Sequence, residues 1–184
     1  LIDQGFNFQI GLSNIGPQRL KKIIQYLSKR DKKVKSVQIQ FSLLSPDFLK
    51  NTDVKRICEN NDIDFFAYSP LSFGILCIDP EKDEGKQNSF LRSLIFKNYK
   101  KSTNELRRCL KKIAVSRSVS QAQVAINWCC YQGAIPLVGM RKKSQVIDIS
   151  NVFKWNLNQK EFEMLQQVSQ NCLKKRPSNP FSSL

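Results

Sequence analysis

The stretch FFAYSPLSFG, residues 65–74, passes from an apolar run to a turn within a few positions. Its first residues are aromatic and apolar, and Pro70 and Gly74 then supply turn chemistry. A short apolar run that ends in this way indicates a strand buried on both faces, in a sheet covered by helices. Ligand sites of α/β proteins lie beyond the carboxyl ends of such strands. Tyr68 and Ser69 therefore stand at a candidate site.

In both directions from this stretch, short apolar runs alternate with longer segments of helical periodicity. The runs predict strands at 8–12, 36–44, 63–67 and 134–139, and the periodic segments predict helices at 17–30, 53–61, 104–117, 121–132, 143–149 and 158–170. Such alternation indicates right-handed βαβ units on a parallel sheet. A complete eight-stranded βα barrel takes about 250 residues. A chain of 184 residues with this pattern predicts an α/β fold of TIM-barrel type, with about half of the barrel present.

Three predicted helices carry capping signals at their N-termini. Ser102 with Glu105, and Ser120 with Gln123, have the spacing of a capping box. Asn158 precedes the last helix and is a predicted N-cap. These signals predict where the helices at 104–117, 121–132 and 158–170 begin.

The chain carries a formal net charge of +15, which raises the question of an anionic partner. In the basic helices at 17–30 and 104–117, apolar residues recur at helical spacing and the lysines and arginines fall on the opposite face. The basic segments have neither interleaved aromatic residues nor a nucleic-acid reader motif. We therefore interpret the charge as solvated helix faces and disfavour nucleic-acid binding.

Cysteine and histidine content limits the chemistry that this chain can perform. The sequence has six cysteines without a CxxC pair and has no histidine, so it predicts structural thiols, no metal site and no imidazole base.

The sequence has neither an apolar run of membrane-spanning length nor a secretory signal pattern at its start. We expect a soluble protein of the cytoplasm or a plastid that is not secreted and has no membrane partner. Since the sequence begins with Leu1, we expect a fragment or a processed product.

Five ordered blocks resemble the second half of the aldo-keto reductases. They are IGLSN (10–14), VQIQFSLLS (37–45), FFAYSPLSFGIL (65–76), SQAQVAINWCCYQGAIPLVGMR (120–141) and the following Gln145. An isolated YSPL is a weak signal, whereas five blocks in this order are specific. The NWC tripeptide also resembles the plant and plastid pyridoxal reductase branch. The resemblance implies that residues 1–172 form strands five to eight of a TIM barrel that binds NADP, with a tail at 173–184. The half that bears the family's aspartate, tyrosine, lysine and histidine would be absent, so no catalytic residue is expected here.

The same resemblance implies a site for NADPH, which in the family delivers a hydride to the carbonyl carbon of an aldehyde or ketone. Ser13, Asn14 and Gln38 would hydrogen-bond the nicotinamide carboxamide. Tyr68 would stack on the nicotinamide ring. Ser13 and Asn14 also fit an ordinary helix cap, and Tyr68 also fits a strand end with a satisfied hydroxyl.

The turn after Tyr68 corresponds to the pyrophosphate passage of the family. Ser69 and Leu71 would line it, and Gly74 would let the backbone come close to the ligand without a Cβ atom. Ser72 replaces a glycine that is usual in the family, which could stiffen the turn.

The segment after the last strand corresponds to the part that holds the adenosine end. It contains the predicted contacts Gly139, Arg141, Gln145 and Asp148. Arg141, with Lys142 or Lys143, could meet a 2′-phosphate, since a guanidinium pairs well with phosphate oxygens. The same three side chains also fit a solvated first helical turn. Ile149 replaces a common asparagine, which puts the adenine contact in doubt.

Three functions remain open from the sequence. The first is a piece of an NADPH-dependent carbonyl reductase, with pyridoxal as a possible substrate. The second is a truncated, catalytically dead relative that binds a nucleotide or pairs with the missing N-terminal half-barrel or with itself. The third and weakest is a basic nucleic-acid module. A half-barrel would expose two strand edges and an apolar interior, which favours association.

Overall fold

The structure is a computed structural model that describes residues 8–44, 52–81 and 102–173. Its strands are β1 (Ile10–Ser13), β2 (Val34–Gln40), β3 (Asp64–Tyr68) and β4 (Ile135–Leu137). Its α-helices are α1 (Pro17–Ser28), α2 (Thr52–Asn60), α3 (Asn104–Arg117), α4 (Gln121–Tyr131), α5 (Lys143–Ser150) and α6 (Gln159–Leu173). Two 3-10 helices span Ser72–Cys77 and Val152–Lys154. Residues 174–184 of the predicted tail, and residues 1–7, lie outside the described part of the chain.

The four strands form one parallel sheet in the order β1-β2-β3-β4. Each strand pairs with the next one along the chain, and helices lie between them in sequence. This is the arrangement of successive βαβ units. It confirms the predicted α/β fold of TIM-barrel type, represented by part of a barrel.

Within the described residues, the sheet is covered on one face only, which contradicts the prediction that the strands are buried on both faces. In β3, Phe65 and Ala67 are 4% and 0% exposed and pack in the core, whereas Phe66 and Tyr68 are half-buried. Register partners in a parallel sheet share a face. The second face, called here the open face, carries Ser13, Gln38, Gln40, Phe66, Tyr68, Ile135 and Leu137. The helices of the described chain cover the opposite face.

The predicted strand at 36–44 is too long at its C-terminal end. β2 ends at Gln40, and the residues that follow form a turn. Leu44 N–H donates to Ser42 Oγ at 3.1 Å, a local side-chain bond of the kind that competes with strand pairing. The Ser72–Cys77 helix was not predicted, because its residues have no helical periodicity.

The predicted N-cap Asn158 is confirmed, and Glu161 forms the reciprocal hydrogen bond of a capping box with it. Glu161 N–H donates to Asn158 Oδ1, and Asn158 N–H donates to Glu161 Oε2, each at 2.9 Å. The box predicted for Ser102 and Glu105 was wrong, because Thr103 occupies the N-cap. Glu105 is therefore the second helical residue of α3, and a capping box needs the third.

Only half of the capping box predicted at Ser120 is present. Ser120 is the N-cap of α4, and its Oγ accepts from Gln123 N–H at 3.1 Å. The reciprocal bond does not form, because Gln123 Oε1 accepts from Trp155 Nε1 at 3.1 Å instead. Gln123 thereby connects α4 with the segment after α5.

The core lies between the sheet and the helices. Its largest fully buried side chains include Trp128 of α4 and Phe41, whose ring centroids are 5.1 Å apart. All six cysteines are thiols, not disulfides, as predicted, and four of them are buried. Burial raises the pKa of Cys58 to about 11 and raises the pKa of Cys129 strongly. These thiols are packing groups at neutral pH.

Candidate functional site

Hydrogen bonds join three strands close to the carboxyl edge of the sheet. Tyr68 Oη, at the end of β3, donates to Asn14 Oδ1 at 2.9 Å. Asn14 Nδ2 donates to Ser13 Oγ at 3.2 Å, and Asn14 N–H donates to Gln38 O at 2.9 Å. Asn14 adopts φ 50°, a left-handed conformation that asparagine tolerates better than most residues. The structure therefore brings together the four residues predicted for the nicotinamide end.

This group, called here the strand-end cluster (Ser13, Asn14, Gln38 and Tyr68), presents polar atoms beside an aromatic face. The side chains of Ser13, Gln38 and Tyr68 all belong to the open face of the sheet. An amide and a hydroxyl next to a half-buried phenol ring can hold a planar group that carries a carboxamide. The strand-end cluster contains no carboxylate, imidazole or lysine that could exchange a proton with a substrate.

The turn after β3 contains a run of left-handed residues. Ser69, Ser72, Phe73 and Gly74 have φ values of 54°, 47°, 58° and 91°. A Cβ atom at Gly74 would meet nothing within 4 Å, so the described chain does not crowd this position. The positive φ is the reason within this chain for a glycine at 74. An approach of the backbone to a ligand stays a prediction.

Hydrogen bonds of Ser72 stabilise the turn after β3, although a serine replaces the glycine that is usual in the family. Its Oγ lies 2.8 Å from Ser42 Oγ, and both side chains are buried. Its N–H also donates to Ser69 O at 2.9 Å. These bonds compensate for the left-handed backbone of a residue with a Cβ atom. They also connect the turn after β3 to the turn after β2.

A cavity of about 390 Å³ opens between the turn after β3 and the segment after β4. It is lined by Leu71, Cys77, Ser120, Gln121, Ala122, Val138, Gly139, Met140, Gln145, Asp148 and Ile149. The lining includes four predicted site residues, Leu71, Gly139, Gln145 and Asp148. Ser69, Gly74 and Arg141 do not belong to this lining, nor does the strand-end cluster. The predicted residues thus fall into two groups and a connecting turn.

Side chains of α4 and α5 fix one wall of this cavity. Asp148 Oδ2 accepts from Ser120 Oγ, and Asp148 Oδ1 accepts from Gln123 Nε2, each at 2.6 Å. Gln145 Oε1 accepts from the N–H groups of Arg141 and Lys142 at 2.8 and 3.0 Å. Gln145 therefore stabilises the start of α5.

The basic group at the start of α5 is exposed. The side chains of Arg141, Lys142 and Lys143 extend into solvent beside a helix N-terminus. This placement leaves their charges available to an anion and equally fits a solvated helical turn.

Sequence reasoning missed several residues around the cavity, among them Cys77, Gln121 and Gln123. Cys77 and Gln121 line it, and Gln123 is buried behind its wall. Gln121 Nε2 donates to Arg107 O at 3.2 Å, which joins α4 to α3. The available signal was the pair of glutamines at the start of a mostly apolar helix, since buried amides usually serve a hydrogen-bonding purpose.

The part of the chain that the structure describes contains no cluster of three or more histidine, cysteine or acidic side chains suited to a metal ion. Within the same residues, no helix has the length and apolar character that crossing a membrane requires.

Comparison with known proteins relates residues 1–170 to the aldo/keto reductase family, whose sequence model matches that range. The chain is 33% identical over 183 residues to the chloroplastic pyridoxal reductase of Arabidopsis thaliana, covering 100% of this chain and 49% of that protein. It is 26% identical over 161 residues to an NADPH-dependent alpha-keto amide reductase of Saccharomyces cerevisiae, covering 86% of this chain and 43% of that protein. The chain thus spans less than half of the length of these relatives.

Solved structures agree on the fold. A thermostable aldo-keto reductase in complex with epalrestat superposes with a TM-score of 0.66 at 17% identity, covering 91% of this chain and 50% of that one. The aldose reductase of Schistosoma japonicum gives a TM-score of 0.62 at 19% identity, covering 91% of this chain and 43% of that one. In both cases the matched part is about half of a longer chain.

Proposed function

Because the chain belongs to the aldo-keto reductase family, we propose that it forms the NADPH-binding half of a carbonyl reductase. The observation that carries this proposal is the hydrogen bond from Tyr68 Oη to Asn14 Oδ1. It joins the ends of two strands and holds an aromatic ring beside a set of amide and hydroxyl groups. Bound NADPH would supply the hydride for reduction of an aldehyde or ketone.

The strand-end cluster fits the nicotinamide end of the cofactor. Ser13 and Gln38 would bond the carboxamide, together with Asn14, and so fix which face of the ring meets the substrate. The Tyr68 hydroxyl is already engaged by Asn14, which leaves the face of its ring for stacking. These residues orient the cofactor and move no proton.

The cavity fits the adenosine end. Its volume of about 390 Å³ is in the range of small-molecule sites. Gly139, Gln145 and Asp148 belong to its lining. Arg141, with Lys142 or Lys143, lies at the nearby N-terminus of α5 and would meet the 2′-phosphate, which favours NADPH over NADH. Ser69, Leu71 and Gly74 would lie along the pyrophosphate between the two ends.

The substrate would be a small carbonyl compound, and pyridoxal is our first candidate. Two relatives support this class, since they are named for the reduction of pyridoxal and of alpha-keto amides. The chloroplastic label of the first relative also supports a plastid location, with the cytoplasm as the alternative. Proton donation to the carbonyl oxygen would come from outside this half-barrel.

Completion of the site would require a partner on the open face of the sheet. β1 and β4 are the outer strands of the described sheet, and Ile135 and Leu137 are 44% and 40% exposed on the open face. A missing N-terminal half-barrel or a second copy of this chain would cover these residues. The same surface favours the alternative function, a catalytically inactive module that binds a nucleotide or a protein partner.

Calorimetric titration of NADPH into the full chain tests the proposal. We expect saturable binding that Tyr68→Ala and Arg141→Ala both weaken, with Arg141→Ala affecting NADPH more than NADH. Tyr26→Ala and Arg19→Ala are matched controls, because both residues are exposed on α1. A folded chain that does not bind NADPH would contradict the proposal. Binding without turnover of pyridoxal, with the other half of the barrel supplied, would favour the inactive module.

A further inference from the structure

Helix α4 carries a stripe of polar side chains on one face. Ser120, Gln123 and Asn127 are separated by three and four residues and therefore lie above one another. Gln123 and Asn127 are only 4% and 3% exposed. Buried amides of this kind are expected to hold specific partners, because an unsatisfied amide is costly.

Asn127, the C-terminal member of the stripe, holds the segment after α5 in place. Asn127 Nδ2 donates to the carbonyl oxygens of Val152 and Trp155 at 3.1 and 2.8 Å. Asn127 Oδ1 accepts from Leu157 N–H at 3.0 Å. One amide side chain thus fixes three backbone positions.

Ser120 and Gln123, the N-terminal members of the stripe, hold the cavity wall in place. Gln123 Nε2 donates to Asp148 Oδ1, and Gln123 Oε1 accepts from Trp155 Nε1. Ser120 Oγ donates to the other oxygen of Asp148. Gln123 is therefore bonded to a cavity-lining carboxylate on one side and to an indole on the other.

In the part of the chain that the structure describes, helix α5 is only lightly packed. None of its residues is fully buried, and Val146 and Ile147 are exposed. Yet α5 contributes Gln145, Asp148 and Ile149 to the cavity. The position of this wall therefore depends on the hydrogen bonds that Asp148 accepts from α4.

We propose that Gln123 is a positioning residue of the cofactor site, which holds the α5 wall at the adenosine end and couples occupancy of the cavity to Trp155. This inference rests on the proposed function, since the occupant is the adenosine 2′-phosphate part of NADPH. The role of Asp148 is then to anchor α5 through two accepted bonds. The amide of Gln123 donates to a carboxylate and accepts from an indole at once, which an apolar side chain cannot do.

The test compares Gln123→Met, which keeps size and shape, with Gln132→Met at the C-terminal end of the same helix. Three ligands are titrated into the full chain: NADPH, adenosine 2′,5′-bisphosphate and reduced nicotinamide mononucleotide. We expect Gln123→Met to weaken NADPH and the bisphosphate by a similar factor, roughly tenfold, and to leave the mononucleotide unchanged. Tyr68→Ala should weaken binding of the mononucleotide and leave binding of the bisphosphate unchanged.

A spectroscopic measurement adds a readout that general destabilisation would not give. Adenosine 2′,5′-bisphosphate does not absorb light at the wavelengths that tryptophan emits. Its binding to the parent chain should therefore change the fluorescence of Trp155 only through the environment of the indole. The change should be lost in Gln123→Met and kept in Gln132→Met, and Trp155→Phe identifies its source. Gln123→Glu, which places a second carboxylate beside Asp148, should weaken the bisphosphate further.

The outcomes separate this inference from the proposed function. If the parent chain binds none of the three ligands, the proposed function fails and this inference fails with it. If the parent binds them and Gln123→Met binds the bisphosphate as tightly as Gln132→Met does, only the role of Gln123 is overturned. Equal weakening of all three ligands by Gln123→Met would indicate a general loss of structure and would also overturn it.

Discussion

The phenolic oxygen of Tyr68 lies 2.9 Å from Oδ1 of Asn14, although 54 residues separate them in the chain. The bond spans from the end of β3 to the end of β1, across the end of β2. It fixes the plane of the Tyr68 ring and the left-handed turn at Asn14 together. The geometry of the strand-end cluster is therefore held by hydrogen bonds within the chain.

Removal of the Tyr68 hydroxyl should cost stability more than cofactor affinity. Tyr68→Phe loses one part-buried hydrogen bond, worth about 1 kcal/mol of unfolding free energy, but keeps the aromatic face. Tyr68→Ala should lose NADPH affinity as well. Urea denaturation and NADPH titration measure the two effects, with Tyr26→Phe as the exposed control. If the phenylalanine variant lost NADPH binding as completely as the alanine variant, the hydroxyl itself would be the binding group.

A side chain at position 74 should destabilise the turn after β3. Gly74→Ala places a Cβ atom on a backbone with φ 91°, which should cost about 1 kcal/mol or more in unfolding free energy. Gly139→Ala is the matched control, since Gly139 does not have a positive φ and a Cβ atom there meets nothing within 4 Å. Thermal unfolding of the two variants measures the difference. Equal melting temperatures would contradict the argument from backbone conformation.

Acidification should remove a contribution to stability made by Glu161. Arg117 donates two hydrogen bonds to this carboxylate, at 2.9 and 2.8 Å, and these hold the pKa of Glu161 below its ordinary value. A lowered folded-state pKa stabilises the fold above the unfolded-state pKa of about 4.3, and the gain is lost as the pH falls through the lowered value. The free energy of unfolding should therefore decrease in that acidic range.

Denaturation curves between neutral pH and about pH 3 measure this effect. Glu161→Gln should show a shallower dependence on pH than the parent chain. Glu163→Gln, on the same helix, is the control, because its carboxylate accepts from Gln159 instead of an arginine. The interpretation would be wrong if the parent and Glu161→Gln lost stability in parallel on acidification.

The open face of the sheet should make the isolated chain self-associate. Ile135 is 44% exposed on the outer strand β4, and exposed apolar strands promote association. Ile135→Lys should reduce association measured by light scattering at a fixed protein concentration. Val115→Lys adds the same charge at a residue of α3 that is 70% exposed, and it should have little effect. Equal association of the two variants would exclude the open face as its cause.

The elements were predictable because each carries its own local signal. Asn158 with Glu161 marks the start of α6, and the apolar spacing from Leu106 to Ile113 defines the buried face of α3. The one-sided burial of β3 was not predictable from a short apolar run, since Phe66 has the same chemistry as the buried Phe65. Which face a helix covers depends on the rest of the fold.

The candidate site was predictable in part, and only through the resemblance; its role in binding stays a prediction. Tyr68 and Asn14 fit the family pattern, but nothing local indicates that their side chains meet, because the contact depends on strand register. Gln123, in contrast, is a residue that sequence reasoning missed. Its partners Asp148 and Trp155 are 25 and 32 residues away, and a glutamine at the start of a helix has many ordinary uses. Polar contacts between distant segments leave no periodic trace in a single sequence.

The order of the strands also bears on how the chain assembles. β1, β2 and β3 are separated by single short crossovers, so their pairing closes loops of modest length. Both α3 and α4 lie between Tyr68 and Ile135, so the pairing of β4 with β3 closes a much longer loop. Closing a longer loop loses more entropy. During synthesis, the strand-end cluster could therefore form while the ribosome is still adding the wall of the cavity, so the two ends of the proposed cofactor site would mature at different times.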